Sequence, residues 1–264
     1  MHRAGPLEAV LTRALQAVES TEAGQFADGG VDPRGDPARQ VWHQSPASLG
    51  KRRARVQYGM VKRWDQVAAF VLAGGGSTRM GRDKALLELG GEPMVVRAAH
   101  LAEPHVASVA VVAPVDRYAE LGLHVLPDRW PGAGPLGGIA TALSATRADW
   151  NLILGCDLPY LTSEWIAWLI PCAMSSLAQA VVPESRRGLE PLAAMYNRAC
   201  AETLTAAVER GVRRVTEGLA EILVERVRAA EWQALDPSGR LFVNMNTPAD
   251  YDEARGRIEK PAPR

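Results

Sequence analysis

The chain has 264 residues and a formal net charge of zero, with 47% hydrophobic and 23% charged residues. This composition is typical of a globular protein, and without excess positive charge no global field attracts nucleic acid or anionic lipid. The three cysteines form no C-x-x-C pair and the five histidines complete no zinc-ligand spacing, so we expect neither a disulfide framework nor a zinc site. Any anion binding must therefore be local.

The sequence contains no apolar stretch that approaches the roughly 18 residues needed to span a bilayer. The N-terminus lacks the apolar core of a secretory signal. We therefore expect a cytoplasmic protein whose ligands are small molecules rather than a membrane or a nucleic acid.

The first 59 residues differ in composition from the rest. Residues 20–59 contain ADGGVDPRGDP and SPASLGKRRAR without sustained periodicity, which is typical of a disordered linker. Before them, residues 6–20 have the apolar spacing of a short amphipathic helix. Isolated helices of this length are weak, so we expect it to contribute little, with a partner-binding helix as the alternative. We predict an N-terminal extension over 1–59 and one folded domain over 60–264.

From residue 66 onward, strand-like and helix-like segments alternate. The predicted strands, which are continuous apolar runs, are 66–73, 107–113, 123–127, 151–157 and 179–184. The predicted helices, which are amphipathic, are 93–102, 136–147 and 163–170. Apolar strands separated by helices indicate a mostly parallel sheet covered on both faces. Trp165 and Trp168 fit a stripe that faces the core.

A glycine-rich loop, LAGGGSTRMGRDK (72–84), follows the first predicted strand. Ligands of such sheets bind beyond the carboxyl ends of the strands, where backbone N–H groups converge on an anion. The loop is not a dinucleotide fingerprint, since Arg79 takes the place of the third glycine, and it lacks the Lys-Ser/Thr pair of a P-loop. Glycines 74–76 allow close backbone approach, while Arg79 and Lys84 bring positive charge to the β and γ phosphates of a nucleotide. We predict a phosphate-binding loop.

Two aspartates end predicted strands: Asp128 closes LHVLPD and Asp157 closes NLILGCD. Because Mg²⁺ takes one or two carboxylates together with phosphate oxygens and waters, a strand-terminal aspartate beside a triphosphate is a natural ligand. This interpretation is favoured for Asp157, since a charge directly after LILGC is poorly placed for core packing. For Asp128, spacing alone leaves metal binding and turn formation equally open.

Two further segments are candidates for the same site. FVNMNTPADYDEA (242–254) contains Asn244 and Asn246 at a predicted helix entry, where Thr247 is the expected N-cap. The Asn246 amide is a candidate for the metal or phosphate shell. PGAGPLGGI (131–139) is a second glycine-rich loop, whose small residues would let backbone groups contact a flat base edge. A plain loop is the alternative.

Five motifs occur in a fixed order: LAGGGSTRMGRDKALLEL, PDRWPGAGPLGGI, LILGCDLPYL, EPLAAMYNR and FVNMNTPADY. Together, over about residues 66–257, they resemble the motifs of molybdenum cofactor guanylyltransferases. The resemblance implies a single-domain, three-layer α/β/α fold of the nucleotidyltransferase type, doubly wound (Rossmann-like), with a mostly parallel, mixed sheet. It implies the substrates GTP and molybdenum-molybdopterin, the cofactor Mg²⁺, and transient contact with molybdoenzyme apoproteins or their chaperones.

The resemblance also assigns individual residues. Arg79, Lys84 and Asp157 are the predicted catalytic residues, and Asp157 is the predicted metal ligand. The predicted nucleotide- and cofactor-binding residues are Leu72, Ala73, Gly74, Gly75, Gly76, Ser77, Arg79, Lys84, Asp128, Gly137, Asp157, Asn244 and Asn246. The chain departs from some relatives at Ala113 and Pro114, which stand where an asparagine would contact the nucleotide, and this leaves one guanosine contact open.

The reaction implied is attack by the terminal phosphate of the pterin on the α-phosphorus of GTP, with release of pyrophosphate. A phosphate monoester has a second pKa of about 6, so the nucleophile is already ionised and no general base is required. Three alternatives stay open: a cytidylyltransferase for the same pterin, a sugar-phosphate nucleotidyltransferase, and a catalytically inactive pterin carrier. Glu190 and Pro191 are candidates for contact with the pterin, although packing explains them equally well.

Overall fold

A computed structural model of the chain describes residues 63–74, 83–114 and 117–259. The predicted N-terminal helix and linker and most of the phosphate-binding loop, residues 75–82, lie outside the described ranges, and the division at residue 59 stays a prediction. Within the described ranges, no helix is both long enough and apolar enough to cross a membrane.

The described residues form ten strands and seven α-helices. The strands are β1 (Trp64–Leu72), β2 (Glu88–Leu89), β3 (Glu92–Pro93), β4 (Val106–Ala113), β5 (Val125–Pro127), β6 (Trp150–Gly155), β7 (Ala180–Ser185), β8 (Gly188–Leu189), β9 (Ala193–Asn197) and β10 (Val224–Arg228). The helices are α1 (Met94–Ala102), α2 (Gly134–Ala145), α3 (Ser163–Met174), α4 (Ala201–Glu209), α5 (Val215–Leu219), α6 (Ala229–Trp232) and α7 (Pro248–Ile258).

The main sheet has the strand order β10-β7-β9-β6-β1-β4-β5, with β8 paired to the edge of β7. Its neighbours are parallel except that β9 runs antiparallel to both β6 and β7, and β8 antiparallel to β7. Strands β2 and β3 form a separate antiparallel hairpin. The prediction of a mostly parallel, mixed sheet is therefore confirmed.

Strand β1 is buried on both faces, which explains its continuous apolar sequence. Val67, Ala69 and Val71 pack into one core with helices α1, α3 and α6. Ala68 and Phe70 pack into a second core with helices α2, α4 and α5. Two separate cores on opposite faces of one sheet make the three-layer α/β/α architecture.

The predicted elements agree with the structure to within four residues at each end. The five predicted strands correspond to β1, β4, β5, β6 and β7, and the three predicted helices to α1, α2 and α3. Helix α3 continues through Pro171 to Met174, beyond its predicted end at residue 170. Trp165 is fully buried and packs against Trp168, as its core-facing spacing predicted.

The winding of the chain reverses beside β1. Helix α1 leads from β1 to β4 and covers one face of the sheet, whereas α2 leads from β5 to β6 and covers the opposite face. Strands β4 and β5 lie on one side of β1, and β6 lies on the other. Doubly wound sheets bind their ligands in the crevice outside the carboxyl ends of the strands at such a reversal. The carboxyl ends of β1 and β6 are therefore the expected place for a site.

Candidate active site

A cleft of about 400 Å³ opens at the carboxyl ends of β1, β4 and β6. The site residues predicted from the sequence that line it are Leu72, Ala73, Gly74, Lys84, Asp128 and Asp157. Residues 75–77 and Arg79 lie outside the described ranges, so their predicted contacts, like the roles of all these residues, stay predictions.

Sheet hydrogen bonding holds the backbone at the floor of the cleft. Leu72 lies level with Gly155 in β6 and with Val112 in β4. Beyond the strand ends, the N–H of Ala73 donates to Val112 O at 2.9 Å, and the N–H of Asp128 donates to Ala113 O at 3.0 Å. The polar groups that follow the three strands are thus brought to one edge of the sheet on a rigid support.

Asp157 is a partly buried carboxylate that lines the cleft. Burial raises its pKa above the usual carboxyl range, and the positive charge of Lys84 opposes that effect. The residue is held from behind, since its carbonyl oxygen accepts a hydrogen bond of 2.9 Å from the N–H of Met245. A carboxylate whose charge is disfavoured by burial gains free energy from any cation that enters the cleft.

Gly155 leaves room for the Asp157 carboxylate. A Cβ at position 155 would lie 2.8 Å from Asp157 Oδ1 and 3.4 Å from Leu192 Cβ, the first of which is shorter than a tolerable contact. The N–H of Gly155 also donates to Leu192 O at 2.7 Å, so the backbone here cannot withdraw easily. A side chain at this position would displace the carboxylate.

Lys84 lies opposite Asp157 and is positioned from two directions. It begins a short 3₁₀ helix (Lys84–Leu86) that is capped by Asp83, whose Oδ1 accepts from the N–H of Ala85 at 3.1 Å. Its Nζ donates to Asn246 Oδ1 at 2.8 Å. This hydrogen bond joins the last residue of the phosphate-binding loop to the FVNMNTPADY segment, which the sequence analysis named as a candidate for the same site.

Asn246 is held in place by the start of helix α7. The N–H groups of Asn246 and Thr247 both donate to Asp250 Oδ2 at 2.8 Å, and these bonds lower the pKa of that carboxyl. Thr247 accepts in return from the N–H of Asp250, which completes a capping box. The prediction of Thr247 as N-cap is confirmed.

Asp128 has a structural role that spacing alone left open. Its Oδ1 accepts from the N–H of Trp130 and from Thr141 Oγ1, both at 3.0 Å. The carboxylate therefore stabilises the turn that leads into the second glycine-rich loop, and it also lines the cleft.

The glycines of that loop differ in role. Gly137 does not line the cleft, and a Cβ there would meet Ala133 Cβ at 2.8 Å, so close packing of the turn requires glycine at this position. Its neighbour Gly138 lines the cleft, where a Cβ would meet the Leu72 side chain at 3.1 Å. Gly138 is therefore the glycine of the PLGG sequence that lines the cleft, and the contact of Gly137 with the nucleotide stays a prediction.

A second cleft of about 390 Å³ joins the first at Asp157. Its wall includes Asn244, Pro191 and two arginines, Arg213 and Arg214. The Arg213 guanidinium donates to the carbonyl oxygens of Val208 and Val212 at 3.1 Å, so the end of helix α4 holds it in place.

Neither arginine is predicted as a site residue from the sequence. The local sequence shows only that two adjacent arginines follow Gly211, a glycine with a φ of +92° that ends helix α4.

The thiol of Cys156, beside Asp157, lines the first cleft. Burial, with a smaller contribution from the charge of Asp157, raises its pKa to about 12. The thiol is therefore protonated at neutral pH and is not a nucleophile. A covalent intermediate on this sulfur is therefore not expected.

A doubly wound sheet that carries Lys84 and the partly buried Asp157 at its switch point fits the nucleotidyltransferase class. The fold is similar to the crystal structure of molybdopterin-guanine dinucleotide biosynthesis protein A from Archaeoglobus fulgidus, with a TM-score of 0.65 and 23% identity over 73% of this chain and 98% of that one. The family described as the MobA-like NTP transferase domain matches residues 69–227, and the chain belongs to that family. The protein is therefore an enzyme of nucleotidyl transfer.

Two curated relatives cover the same part of the chain. The chain is 37% identical over 201 residues to a probable molybdenum cofactor guanylyltransferase of Deinococcus radiodurans, which covers 74% of this chain and 96% of the relative. It is 34% identical over 199 residues to a molybdenum cofactor guanylyltransferase of Shewanella sp. strain MR-4, which covers 74% of this chain and 98% of the relative. The shared region includes nearly the whole length of both relatives but only about three quarters of this chain.

The contact between Gly155 and Asp157 leads to a first prediction. Gly155→Ala is expected to lower kcat/KM for nucleotidyl transfer about 100-fold, because displacement of a reacting group by about 1 Å has that cost. Steady-state kinetics would measure the effect. Gly256→Ala, a change on helix α7 with open space around the new Cβ, is the matched control and should retain full activity. Unchanged kinetics in Gly155→Ala would contradict the role assigned to the Asp157 carboxylate.

Proposed function

We propose that this enzyme transfers GMP from GTP to the terminal phosphate of molybdenum-molybdopterin, giving the guanine dinucleotide cofactor and pyrophosphate. The observation that carries the proposal is that two clefts of similar volume meet at Asp157. An enzyme that joins two phosphorylated molecules needs two adjacent binding sites with the reacting phosphates at their junction. The names of the relatives, molybdenum cofactor guanylyltransferases, support GTP and the molybdenum cofactor precursor as the two substrates.

The nucleotide is assigned to the first cleft. Gly74 and Lys84 both line this cleft. Lys84 supplies a positive charge for the β and γ phosphates, which leave the α-phosphorus as pyrophosphate. Gly138 packs directly against the Leu72 side chain, and both line this cleft. We assign the nucleotide base to the space beside them, and the names of the relatives favour guanine as that base.

The acceptor is assigned to the second cleft. Arg213 and Arg214 supply positive charge for an anionic phosphate, and Pro191 supplies apolar wall. Arg214 is well exposed, and among the described residues it pairs with Glu217 on the same turn at 3.6 Å, an exposed pair of small energy that an incoming phosphate can replace. Both arginines line the second cleft together with Asp157, so the acceptor phosphate would bind in this cleft with its reacting oxygen towards the junction.

The residues present fit a magnesium ion at the junction. Asp157 is a carboxylate whose charge burial disfavours, and Mg²⁺ takes one or two such oxygens together with phosphate oxygens and waters. When bound, the ion would lower the repulsion between the two anions and stabilise the departing pyrophosphate. The chain itself binds and orients the phosphates, with Lys84 on the leaving group.

The proposed product is the cofactor that molybdoenzymes use, so this enzyme would act before they receive it. Since the product is a cofactor of other proteins, the proposal includes transient contact with their apoproteins or chaperones in the cytoplasm.

Calorimetric titration of the full chain with Mg·GTP and, separately, Mg·CTP tests the nucleotide assignment. We expect GTP to bind at least tenfold more tightly than CTP, and incubation with GTP and molybdopterin to release pyrophosphate. A preference for CTP would move the assignment to the cytidylyltransferase. Tight pterin binding without pyrophosphate release from any nucleoside triphosphate would instead support an inactive carrier, for which Lys84 and Asp157 together have no purpose.

A further inference from the structure

Tyr118 has an unusual backbone conformation for a bulky residue. Its φ is +65°, and it is the only residue other than glycine with positive φ in the part of the chain that the structure describes. Its side chain is only 6% exposed and packs into the core beneath the cleft. Positive φ is unfavourable for a large L-residue and persists only where the surroundings impose it. We therefore expect the contacts of the Tyr118 side chain to be the cause of its positive φ.

The Tyr118 hydroxyl joins the two ends of the phosphate-binding loop. It lies 2.8 Å from Asp83 Oδ2, just after residues 75–82, and 3.1 Å from Ala73 O, just before them. The hydroxyl proton faces both oxygens, and the shorter contact to a charged acceptor makes Asp83 its stronger hydrogen-bond partner and Ala73 O its weaker one. Burial raises the pKa of Tyr118, and the Asp83 carboxylate raises it further, so the hydroxyl keeps its proton at neutral pH.

Asp83 transmits this contact to Lys84. The Asp83 carboxylate accepts from Tyr118 through Oδ2 and from the N–H of Ala85 through Oδ1, so it is fixed at both oxygens. It is also the N-cap of the short helix whose first residue is Lys84. Arg117 approaches Oδ2 at 3.3 Å, but its side chain is half exposed, and an exposed pair of this kind contributes little. The buried hydroxyl is the stronger support.

We propose that Tyr118 is a positioning residue that sets the place of Lys84, through Asp83, for the β and γ phosphates of the nucleotide. The inference rests on the assignment of the first cleft to a nucleoside triphosphate. Tyr118 lies outside the glycine-rich loop, 34 positions beyond Lys84, and would act without contacting the substrate. The effect of Tyr118 would be confined to the phosphates that Lys84 binds.

The test compares two ligands that differ only in those phosphates. Calorimetry with Mg·GTP and with GMP in the same buffer gives the affinity ratio that belongs to the β and γ phosphates. Tyr118→Phe keeps the ring and loses the hydroxyl, and we expect it to weaken GTP binding about tenfold while GMP binding changes less than twofold. A change that merely loosened the fold would weaken both ligands together. Equal loss for GTP and GMP, or no loss for either, would overturn the proposal.

Two further variants complete the test. Asp83→Asn keeps an oxygen for the N–H of Ala85 but removes the charged acceptor of the hydroxyl, so it should show the same selective loss, and adding Tyr118→Phe to it should have no further effect. Independent, multiplying losses would overturn the proposed coupling. Tyr196→Phe, which removes another buried hydroxyl, bonded to Pro191 O at 3.0 Å, is the matched control and should leave the ratio unchanged.

The failure of the proposed function gives a different result. If the unmodified protein binds GTP and GMP but transfers no guanylyl group, the positioning role of Tyr118 stands and the assigned reaction falls. If the unmodified protein binds CTP in place of GTP, the same ratio is measured with CTP and CMP, and its selective loss in Tyr118→Phe still supports the role. If the unmodified protein binds no nucleotide, both inferences fall.

Discussion

Replacement of Asp157 by asparagine is expected to lower the turnover of nucleotidyl transfer by about 1,000-fold and, at the same time, to stabilise the metal-free protein. The loss of turnover follows because the carboxylate is the proposed magnesium ligand, and removal of one preorganised electrostatic group from a reaction centre costs about 100- to 1,000-fold. The gain in stability follows because the wild-type carboxylate is buried, and burial raises its pKa. A neutral amide of the same shape avoids the burial of that charge.

The pH dependence of this gain has a definite sign. A carboxyl whose pKa is raised on folding is neutral in the folded protein at low pH, and its buried charge forms as the pH rises through the raised pKa. Stability is therefore lost with rising pH, from the ordinary carboxyl range up to values above the raised pKa of Asp157. Asp157→Asn should have a higher Tm than the wild type above that window and the same Tm below it. Magnesium binding should strengthen over the same window, since it requires the ionised carboxylate.

Thermal melts between pH 4 and 8, with and without Mg·GTP, would measure both effects. Asp149→Asn is the matched control, because Asp149 is an exposed aspartate at the opposite end of the same strand, β6. It should change neither Tm nor turnover. Retention of normal turnover in Asp157→Asn, or a lower Tm above the window, would contradict the proposed role of this carboxylate.

Arg79→Ala and Lys84→Ala are each expected to lose transfer activity without unfolding. Each removes one positive charge from the phosphates, and the loss corresponds to roughly 3 kcal/mol in transition-state stabilisation by analogy with oxyanion-site deletions. Both side chains are predicted to bind the nucleotide rather than to support the core, so circular dichroism and Tm should stay close to the wild type. Arg147→Ala, at an exposed position just after helix α2, is the control and should be fully active. Near-normal turnover in both loop variants would refute the assignment.

Lys84→Ala should also move the residual activity along the pH axis. The positive charge of Lys84 lowers the pKa of Asp157 against the effect of burial, so its removal lets that pKa rise further. The acidic limb of the pH–rate profile, which reports ionisation of Asp157, is then expected to shift to higher pH. A shift to lower pH would show that another group controls the profile.

Lys84 offers a direct measure of occupancy as well. It is the only lysine within the described ranges. Amine acetylation followed by mass spectrometry would therefore report on this one lysine among the described residues. Bound Mg·GTP should protect it, and the extent of protection should fall in the Tyr118→Phe variant.

The sequence predicted best those elements that are buried on both faces. Strands β1, β4 and β6 are continuous apolar runs because helices cover them on both sides. Strand β9 was not predicted, although it lies inside the quoted EPLAAMYNR motif, because five residues with two alanines have weak strand propensity. Strand β10 was not predicted either, since it lies at the edge of the sheet and its VERVR sequence has three charged residues without a strict alternation of apolar and polar positions.

The candidate site also has features that the sequence predicted and features that it did not. The phosphate-binding loop and Asp157 were visible as local motifs after apolar strands. The hydrogen bond between Lys84 and Asn246 joins residues 162 positions apart, and the wall of the second cleft joins Asp157 to Arg213. No local pattern encodes such distances, because they follow from the order in which the strands assemble in the sheet.

By itself, the sequence determined the alternation of strands and helices, the double covering of the sheet and the family of the enzyme. These properties depend on apolar periodicity and on short motifs, which are local along the chain. Only the tertiary structure decided that two clefts meet at Asp157, that Gly155 leaves space for its carboxylate, and that Tyr118 joins both ends of the loop. These properties depend on which distant segments become neighbours, and that choice is made by the packing of the whole domain.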